Sequence, residues 1–297
     1  VRSRGLGDVY KRQMIKRNLL IAILILCSIG IIKGQTVSDS LAIVSAQWKV
    51  ESPQKGIIHK YASIPRLYQG TQSVSLIEIE PGAGLKVDIA VSDEMKETSR
   101  IASEHRGIAA INGSYFDMKR GNSVCFLKVG NQVVDTTTLS EYKLRVTGAM
   151  HVHKGKIKLI PWSKQIEKEY EGETGIVLAS GPLMLKDGQI CDWNSCGTNF
   201  IRTKHPRSAV ATTKEGKILL ITVDGRFPEQ AEGVNIPELA HLIRILGGED
   251  ALNLDGGGST TLWLSGASDD GVVNYPCDNG RFDHAGERKV PNILYIH

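Results

Sequence analysis

Short apolar runs that end in a polar residue followed by glycine recur beyond residue 105 of the chain. Each run has the length and composition of a buried strand, and Asn or Asp followed by Gly is typical of a turn at a strand end. The three runs and the pairs that end them are 108–111 with Asn112-Gly113, 217–223 with Asp224-Gly225, and 252–254 with Asp255-Gly256. Loops at strand ends carry functional groups disproportionately often, so the pattern predicts a binding rim where these strands end.

The strongest helix signal lies between the second and third runs. Asn235 can cap its N-terminus, Pro237 suits its first turn, and Gly247-Gly248 ends it. Its apolar face is formed by Leu239, Leu242, Ile243 and Leu246. A strand, a helix and a strand in this order predict a crossover between parallel strands.

The N-terminal part of the chain shows a β-like pattern that ends near Ser92. The segment 73–79 is interpreted as a strand, although its apolar residues do not alternate strictly. A helix is predicted to follow, with Ser92 as its cap and Asp93 and Glu94 at the positive end of its dipole. The same side of this helix would carry Met95, Thr98 and Ala102.

Two turn signals predict hairpins elsewhere in the chain. They are Lys154-Gly155-Lys156 and Lys186-Asp187-Gly188. The whole pattern predicts an α+β fold, a mixed sheet with packed helices. We expect one main domain over residues 104–297 and a smaller N-terminal β-rich accessory region over residues 35–103.

The first 34 residues predict a targeting segment. A basic start at Met14 precedes an uncharged apolar run over residues 19–32, which is the organisation of a secretory signal peptide over residues 14–34. The run is too short for a comfortable membrane crossing, so no stable membrane span is expected. Residues 1–13 lie upstream of this start and are interpreted as a non-native leader.

These features predict an exported protein, located in the periplasm, at the cell surface or outside the cell. Cleavage is expected near Gly34. A lipid anchor on Cys27 is the alternative, because residues 24–27 loosely resemble the acylation motif of lipoproteins.

The basic charge of the chain lies mainly in residues 1–34. The formal charge is +4, but residues 1–34 carry seven Lys or Arg and one Asp, and the rest of the chain is near −2. The remainder has no basic stripe with interleaved aromatic residues, so nucleic acid is not an expected partner.

Four cysteines follow residue 34, namely Cys125, Cys191, Cys196 and Cys277. In an exported protein disulfides can persist, and the close pair Cys191 and Cys196 predicts a staple across one loop. A metal site and free buried thiols are the alternatives, although no CxxC and no paired histidine spacing favours a metal.

The most unusual segment of the chain is Asp255 with the three glycines that follow it. Three successive glycines cost conformational entropy that an ordinary loop does not require, and their N–H groups can face an anion. By contrast, Asp224-Gly225 taken alone is more typical of a simple turn. The chain lacks a phosphate loop, a dinucleotide fingerprint, a zinc-protease helix motif and a nucleophile elbow.

The order of these signatures resembles the phosphodiester glycosidase family over residues 104–296. The segments that carry the resemblance are Asn112-Gly113-Ser114-Tyr115-Phe116, Ser180-Gly181-Pro182, His205-Pro206-Arg207-Ser208, Val223-Asp224-Gly225-Arg226, Asn253-Leu254-Asp255-Gly256-Gly257-Gly258-Ser259-Thr260-Thr261 and Glu287-Arg288. Members of the family often have a second glycine where Ser114 stands.

The resemblance implies hydrolysis of a sugar 1-phosphodiester at its C1–O bond, which releases a sugar and a phosphomonoester. The implied catalytic carboxylates are Asp255 and Glu287, with Asp224 in reserve. The implied substrate-binding residues are Asn112, Tyr115, Gly181, His205, Arg207, Arg226, Asn253, Gly256, Gly257, Gly258, Ser259 and Arg288, with the arginines and the glycine-loop amides on the phosphate. No cofactor is required, although a divalent cation could bind beside so many oxygen ligands.

Two other functions fit the same residues. A non-catalytic envelope glycan-binding module would use the pocket to hold an anionic polysaccharide, and a phosphodiesterase would cleave P–O, usually with a metal. The expected partner in each case is a phosphodiester-linked sugar or a cell-envelope glycan.

Overall fold

The structure is a computed structural model that describes residues 37–170 and 174–297. The predicted leader over 1–13 and the predicted signal peptide over 14–34 lie outside the described residues. The chain divides into two compact units at residues 45 and 46. Of the first unit, residues 37–44 form a helix, α1.

The second unit, Ala46–His297, is an α+β domain. Its described strands are β1 (Lys49–Gln54), β2 (Ile57–Leu67), β3 (Gly70–Ile79), β4 (Val87–Lys96), β5 (Ala109–Asn112), β6 (Leu127–Val129), β7 (Gln132–Asp135), β8 (Gly148–His153), β9 (Lys156–Pro161), β10 (Ile176–Ser180), β11 (Leu183–Lys186), β12 (Gln189–Ile190), β13 (Arg207–Thr213), β14 (Ile218–Val223), β15 (Gly248–Asn253), β16 (Leu262–Leu264) and β17 (Val290–Ile296). Its described helices are α2 (Thr98–Glu104), α3 (Leu139–Leu144), α4 (Lys164–Lys168), α5 (Thr198–Arg202) and α6 (Ile236–Ile245), with 3-10 turns at Gly257–Ser259 and Asp269–Gly271.

These strands form three sheets in which every described pair is antiparallel. The sheet orders are β1-β2-β3-β14-β13-β15-β11-β12, β7-β6-β10-β8-β9 and β16-β5-β17-β4. The α+β class is confirmed. Where the sequence pattern predicted one mixed sheet, the strands are shared among three antiparallel sheets, and all three contribute to one buried core that includes Ile77, Ile111 and Met150.

The predicted helix after β14 is confirmed. The side chain of Asn235 accepts a hydrogen bond from the Glu238 N–H, and the Glu238 carboxylate accepts one from the Asn235 N–H, which completes a capping box. Gly247 has a φ of +92°, the left-handed conformation expected just past a helix end. Strands β14 and β15 run in the same direction but are not neighbours, because β13 lies between them and pairs with both.

The helix predicted at Ser92 is wrong in its position. Ser92, Asp93 and Glu94 lie in β4, and α2 begins at Thr98. Strand β4 pairs with β17 at residues 87–91 and again at Lys96, so the segment with Ser92 is held in the sheet from both sides despite its local helix signal.

The strand predicted over 73–79 is confirmed as part of β3. It is buried on both faces, which explains the absence of alternation. Because β3 pairs with β14 and β4 pairs with β17, residues 46–103 share two sheets with the rest of the unit.

Both predicted hairpin turns are confirmed. They join β8 to β9 and β11 to β12. Lys154 and Gly155 both have positive φ, as do Asp187 and Gly188, which is the backbone that two-residue hairpin turns require.

The predicted disulfide between Cys191 and Cys196 is not formed. All four cysteines of residues 37–170 and 174–297 are free thiols. The loop is closed instead by backbone and side-chain hydrogen bonds, from Cys196 N–H to the Trp193 carbonyl and from the Trp193 indole to the Leu183 carbonyl. Among the helices described, none is long and apolar enough to cross a membrane.

Replacing the cap of α6 should weaken the domain. We expect Asn235→Ala to lower the free energy of unfolding by about 1 kcal/mol, since the Glu238 N–H loses its side-chain acceptor. Urea unfolding followed by circular dichroism measures the change. Asn199→Ala, at an exposed position of α5, is the control and should stay within about 0.5 kcal/mol of the unsubstituted protein. Equal losses in both variants would contradict the assigned role of the cap.

Candidate active site

Strand ends from two sheets meet beside Asp255. Arg207, the first residue of β13, pairs with Val223 at the end of β14. The third strand end is that of β5, where the buried Asn112 carboxamide donates to the Asp255 carbonyl at 2.7 Å. The Asn112 Oδ1 accepts from the Ser208 hydroxyl at 2.7 Å and from the Thr261 N–H at 3.1 Å. Asn112 therefore joins β5, β13 and the loop after β15.

A second buried network supports the same loop from below. The Asn253 carboxamide donates to the Tyr115 hydroxyl at 2.7 Å and to the Gly181 carbonyl at 2.9 Å. The Tyr115 hydroxyl in turn donates to the Gly181 carbonyl at 2.6 Å. Burial raises the pKa of Tyr115 far above its ordinary value, so the phenol stays protonated. Asn112 and Asn253 are fully buried and hold the rim in place.

The rim encloses a cleft of about 190 Å³. Its lining residues come from distant parts of the chain and are Tyr115, Arg145, Phe200, His205, Arg207, Arg226, Asp255, Gly256 and Gly257. The structure thus brings together seven of the residues that the sequence predicted for the site. It adds Arg145 and Phe200, which the sequence analysis missed.

The cleft is strongly cationic. Among its described lining residues, three are arginines and the carboxylate is that of Asp255. Burial and the charges of Arg207 and Arg226 lower the pKa of His205, so its imidazole is neutral near pH 7. Such a surplus of guanidinium groups in a confined cleft favours an anionic ligand.

Arg207 is held rigidly inside the protein. Its Nε donates to the Val234 carbonyl at 3.2 Å, and its Nη2 donates to the carbonyls of Phe200 and Thr203 at 3.0 and 2.9 Å. Burial lowers its pKa to about 10, which leaves it charged at neutral pH. No carboxylate of the described chain is hydrogen-bonded to it, so its charge is available to a ligand.

Arg226 stands at the exposed rim of the cleft. It has a φ of +69°, in the left-handed region that is unfavourable for residues with a Cβ. Its Nη1 donates weakly to the Cys277 sulfur at 3.6 Å.

Each of the three glycines after Asp255 has a separate reason in the local geometry. A Cβ at Gly256 would lie 2.5 Å from the Pro206 carbonyl oxygen, and one at Gly258 would overlap Arg288 and Asp278. Gly257 has a φ of +61°. The triplet therefore lets the loop pass close to two other segments while it lines the cleft.

The carboxylate of Asp255 is partly buried beside these arginines. Burial raises its pKa, whereas the Ser259 side chain and the charges of Arg145 and Arg288 act in the opposite direction.

The other two predicted carboxylates lie outside the cleft. Asp224 is fully buried and accepts hydrogen bonds from the Ser73 hydroxyl, the Asn274 carboxamide and the Tyr275 N–H. Asp224 thereby joins β14 to β3 and to the loop after β16.

The carboxylate of Glu287 lies at the start of α2, where it binds Ser99. Its carboxylate accepts from the Ser99 N–H at 3.0 Å and from the Ser99 hydroxyl at 2.5 Å, and it lines a different cleft of about 500 Å³. Free N–H groups in the first turn of a helix attract such a carboxylate.

Arg288 lies beside the glycine loop, paired with Asp278 at 2.5 Å. The remaining predicted residue, Gly181, contributes its carbonyl to the Asn253 network. In residues 37–170 and 174–297, no group of three or more His, Cys, Asp or Glu side chains is placed to hold a metal ion.

Fold and cleft together define an α+β domain with a cationic, carboxylate-containing pocket at strand ends, as expected of a hydrolase for anionic substrates. The chain belongs to the phosphodiester glycosidase family, whose family model matches residues 105–297. The resemblance seen in the sequence is confirmed.

Characterised relatives match part of the chain. It is 34% identical over 102 residues to mouse N-acetylglucosamine-1-phosphodiester α-N-acetylglucosaminidase, a stretch that covers 34% of this chain and 18% of that protein. The human protein of the same name is 30% identical over 102 residues, which again cover 34% of this chain and 18% of the relative. The aligned stretch thus spans less than a fifth of the length of these relatives.

Solved structures support the fold. The catalytic domain of zebrafish N-acetylglucosamine-1-phosphodiester α-N-acetylglucosaminidase matches with a TM-score of 0.62 at 20% identity, covering 84% of this chain and 87% of that one. A hypothetical protein from Synechocystis matches with a TM-score of 0.56 at 15% identity, over 85% of this chain and 64% of that one.

The buried carboxyl of Asp224 should make stability depend on pH. Burial raises its pKa from 3.8 to about 6. Between these values the folded protein keeps a proton that the unfolded chain has lost, so the free energy of unfolding falls as pH rises, by about 3 kcal/mol in all. We expect Asp224→Asn to remove this fall and to remain active. Urea unfolding from pH 4 to 7 tests this, and equal pH slopes in both proteins would contradict it.

Proposed function

We propose that this protein hydrolyses the C1–O glycosidic bond of a sugar 1-phosphodiester and releases the sugar and a phosphomonoester. The observation that carries the proposal is the position of Asp255 in a cleft with three arginines. A substrate of this kind places a phosphate next to its anomeric carbon, so it needs a cationic clamp and a carboxylate within one site.

The leaving group needs little assistance from the protein. A phosphomonoester has a second pKa of about 6, so it departs as a stable anion without a proton from the protein. Bond cleavage moves the C1–O electron pair to the phosphate oxygen, water supplies the hydroxyl that C1 receives, and the remaining proton of that water passes to solvent or to the released phosphomonoester. The guanidinium groups stabilise the charge that develops on the phosphate.

In this mechanism Asp255 is the carboxylate that lies beside C1 of the substrate. Positive charge develops at the anomeric carbon as the bond breaks, and a carboxylate at that point stabilises it. With Glu287 and Asp224 outside the cleft, the substrate depends on one carboxylate rather than on an acid and base pair. The weak basicity of the leaving group makes this sufficient.

The natural substrate would be a phosphodiester of the cell envelope. The signal peptide predicted over residues 14–34 is the basis for an exported location, and the family relatives are named for N-acetylglucosamine-1-phosphodiesters. An N-acetylglucosamine 1-phosphodiester with a small alkyl aglycone is therefore the first substrate to test.

Hydrolysis in oxygen-18 water identifies the bond that breaks. We expect the label in the released sugar, because water adds to C1. Label in the phosphomonoester would show P–O cleavage and a phosphodiesterase. Binding without turnover would show a glycan-binding module. Mass spectrometry of both products gives the result, and either of the last two outcomes contradicts the proposal.

Substitution of Asp255 separates it from the other carboxylates. We expect Asp255→Asn to lower kcat/KM by about 10²- to 10³-fold, the usual cost of removing a group that stabilises charge in the transition state. The matched control is Glu287→Gln, which should keep its kcat/KM and lose about 1 kcal/mol of stability at the start of α2. Circular dichroism checks folding. A folded, fully active Asp255→Asn enzyme would remove that residue from the mechanism.

A further inference from the structure

Two arginines of the cleft, Arg145 and Arg207, bind the surrounding protein through the same guanidinium nitrogens, Nε and Nη2. The Nε and Nη2 of Arg145 donate to the two carboxylate oxygens of Glu141 at 2.6 and 3.0 Å. The corresponding nitrogens of Arg207 donate to three backbone carbonyls. In both residues, Nη1 makes no hydrogen bond to the described part of the chain.

Aromatic rings pack against both guanidinium groups. Arg145 lies over the ring of Tyr115, with its Cζ 3.5 Å from the ring centroid. The ring of Phe200 is 5.3 Å from the Cζ of Arg145 and 4.7 Å from that of Arg207. Guanidinium groups stack well on aromatic faces, so Phe200 acts as a common spacer for the two cations.

The two arginines differ in how their charge is balanced. Glu141 is buried and forms a bidentate pair with Arg145, which neutralises much of that charge and holds its orientation. Arg207 has only neutral carbonyl partners. Arg145 therefore contributes mainly directed N–H donors, and Arg207 contributes mainly net charge.

We propose that Arg145 is a substrate-binding residue of this cleft and that it forms, with Arg207, a two-arginine clamp on the phosphate oxygens. Glu141 is a positioning residue, because it acts only through Arg145. The inference rests on the proposed function, which supplies a phosphate as the ligand. Preorganised donors bind with less loss of side-chain freedom than mobile ones, and this is the advantage that the anchoring provides.

Arg145 cannot be tested by one substitution alone. Removing it leaves the buried Glu141 carboxylate without a partner, which is destabilising. The double variant Glu141→Gln with Arg145→Gln avoids this problem, since neither charge remains. Arg244→Gln removes one positive charge from the exposed side of α6 and is the matched control.

Binding of inorganic phosphate, measured by isothermal titration calorimetry, tests the clamp without any turnover. We expect the dissociation constant to rise about 10- to 100-fold in Arg145→Gln and in the double variant, and to stay unchanged in Arg244→Gln. Arg145→Lys should not restore binding, because an ammonium lacks the planar fork. A folded double variant that binds phosphate as tightly as the unsubstituted protein would overturn the proposal.

Kinetics with the N-acetylglucosamine 1-phosphodiester test Glu141. We expect Glu141→Gln to raise KM by about 10-fold with a smaller effect on kcat, because the charge of Arg145 stays while its orientation is lost. Unchanged KM would contradict the positioning role. Failure of the unsubstituted enzyme to hydrolyse this substrate, together with phosphate binding that depends on Arg145, would reject the proposed function and leave the clamp intact.

Discussion

The rest of the site depends on the buried carboxamide of Asn112. It has no exposed surface and binds the Asp255 carbonyl, the Ser208 hydroxyl and the Thr261 N–H, so one side chain links the four-stranded sheet to the eight-stranded sheet. In a low-dielectric interior these hydrogen bonds are strong, and leaving any of them unmade is costly. The loop that carries Asp255 therefore has its position determined from beneath, before any ligand arrives. Asn253 repeats the arrangement one layer away through Tyr115.

A cleft with three cations and one carboxylate has to be stabilised by the surrounding protein. For Arg145 and Arg207 the structure does this by binding each guanidinium through its Nε and Nη2. Arg207 uses backbone carbonyls for this purpose, and Arg145 uses a bidentate carboxylate. Neither arrangement consumes Nη1. The glycine loop completes the site, because residues without a Cβ allow the chain to pass against Pro206 and Arg288. Positive charge and close backbone approach are thus combined at one rim.

The three carboxylates that the sequence analysis grouped together have different tasks because their surroundings differ. Asp224 is enclosed by donors from three segments and has no access to the cleft. Glu287 satisfies the first turn of α2. Asp255 alone of the three meets the arginines of the cleft. Residue type makes each of them a chemical candidate, and only location separates the two that hold structure from the one that faces the cleft.

The sequence by itself determined features whose causes are local. The cap at Asn235, the hairpin turns and the glycine triplet each follow from what neighbouring residues require of the backbone, and the order of signatures was enough to indicate the family. Tertiary structure decided the features that depend on distant partners. Pairing with β17 on both sides of Ser92 keeps that segment in a strand, and Glu287 binds Ser99 across 188 positions of chain. Arg145 lines the cleft only because folding brings it to Tyr115, and nothing in its neighbouring residues predicts that contact.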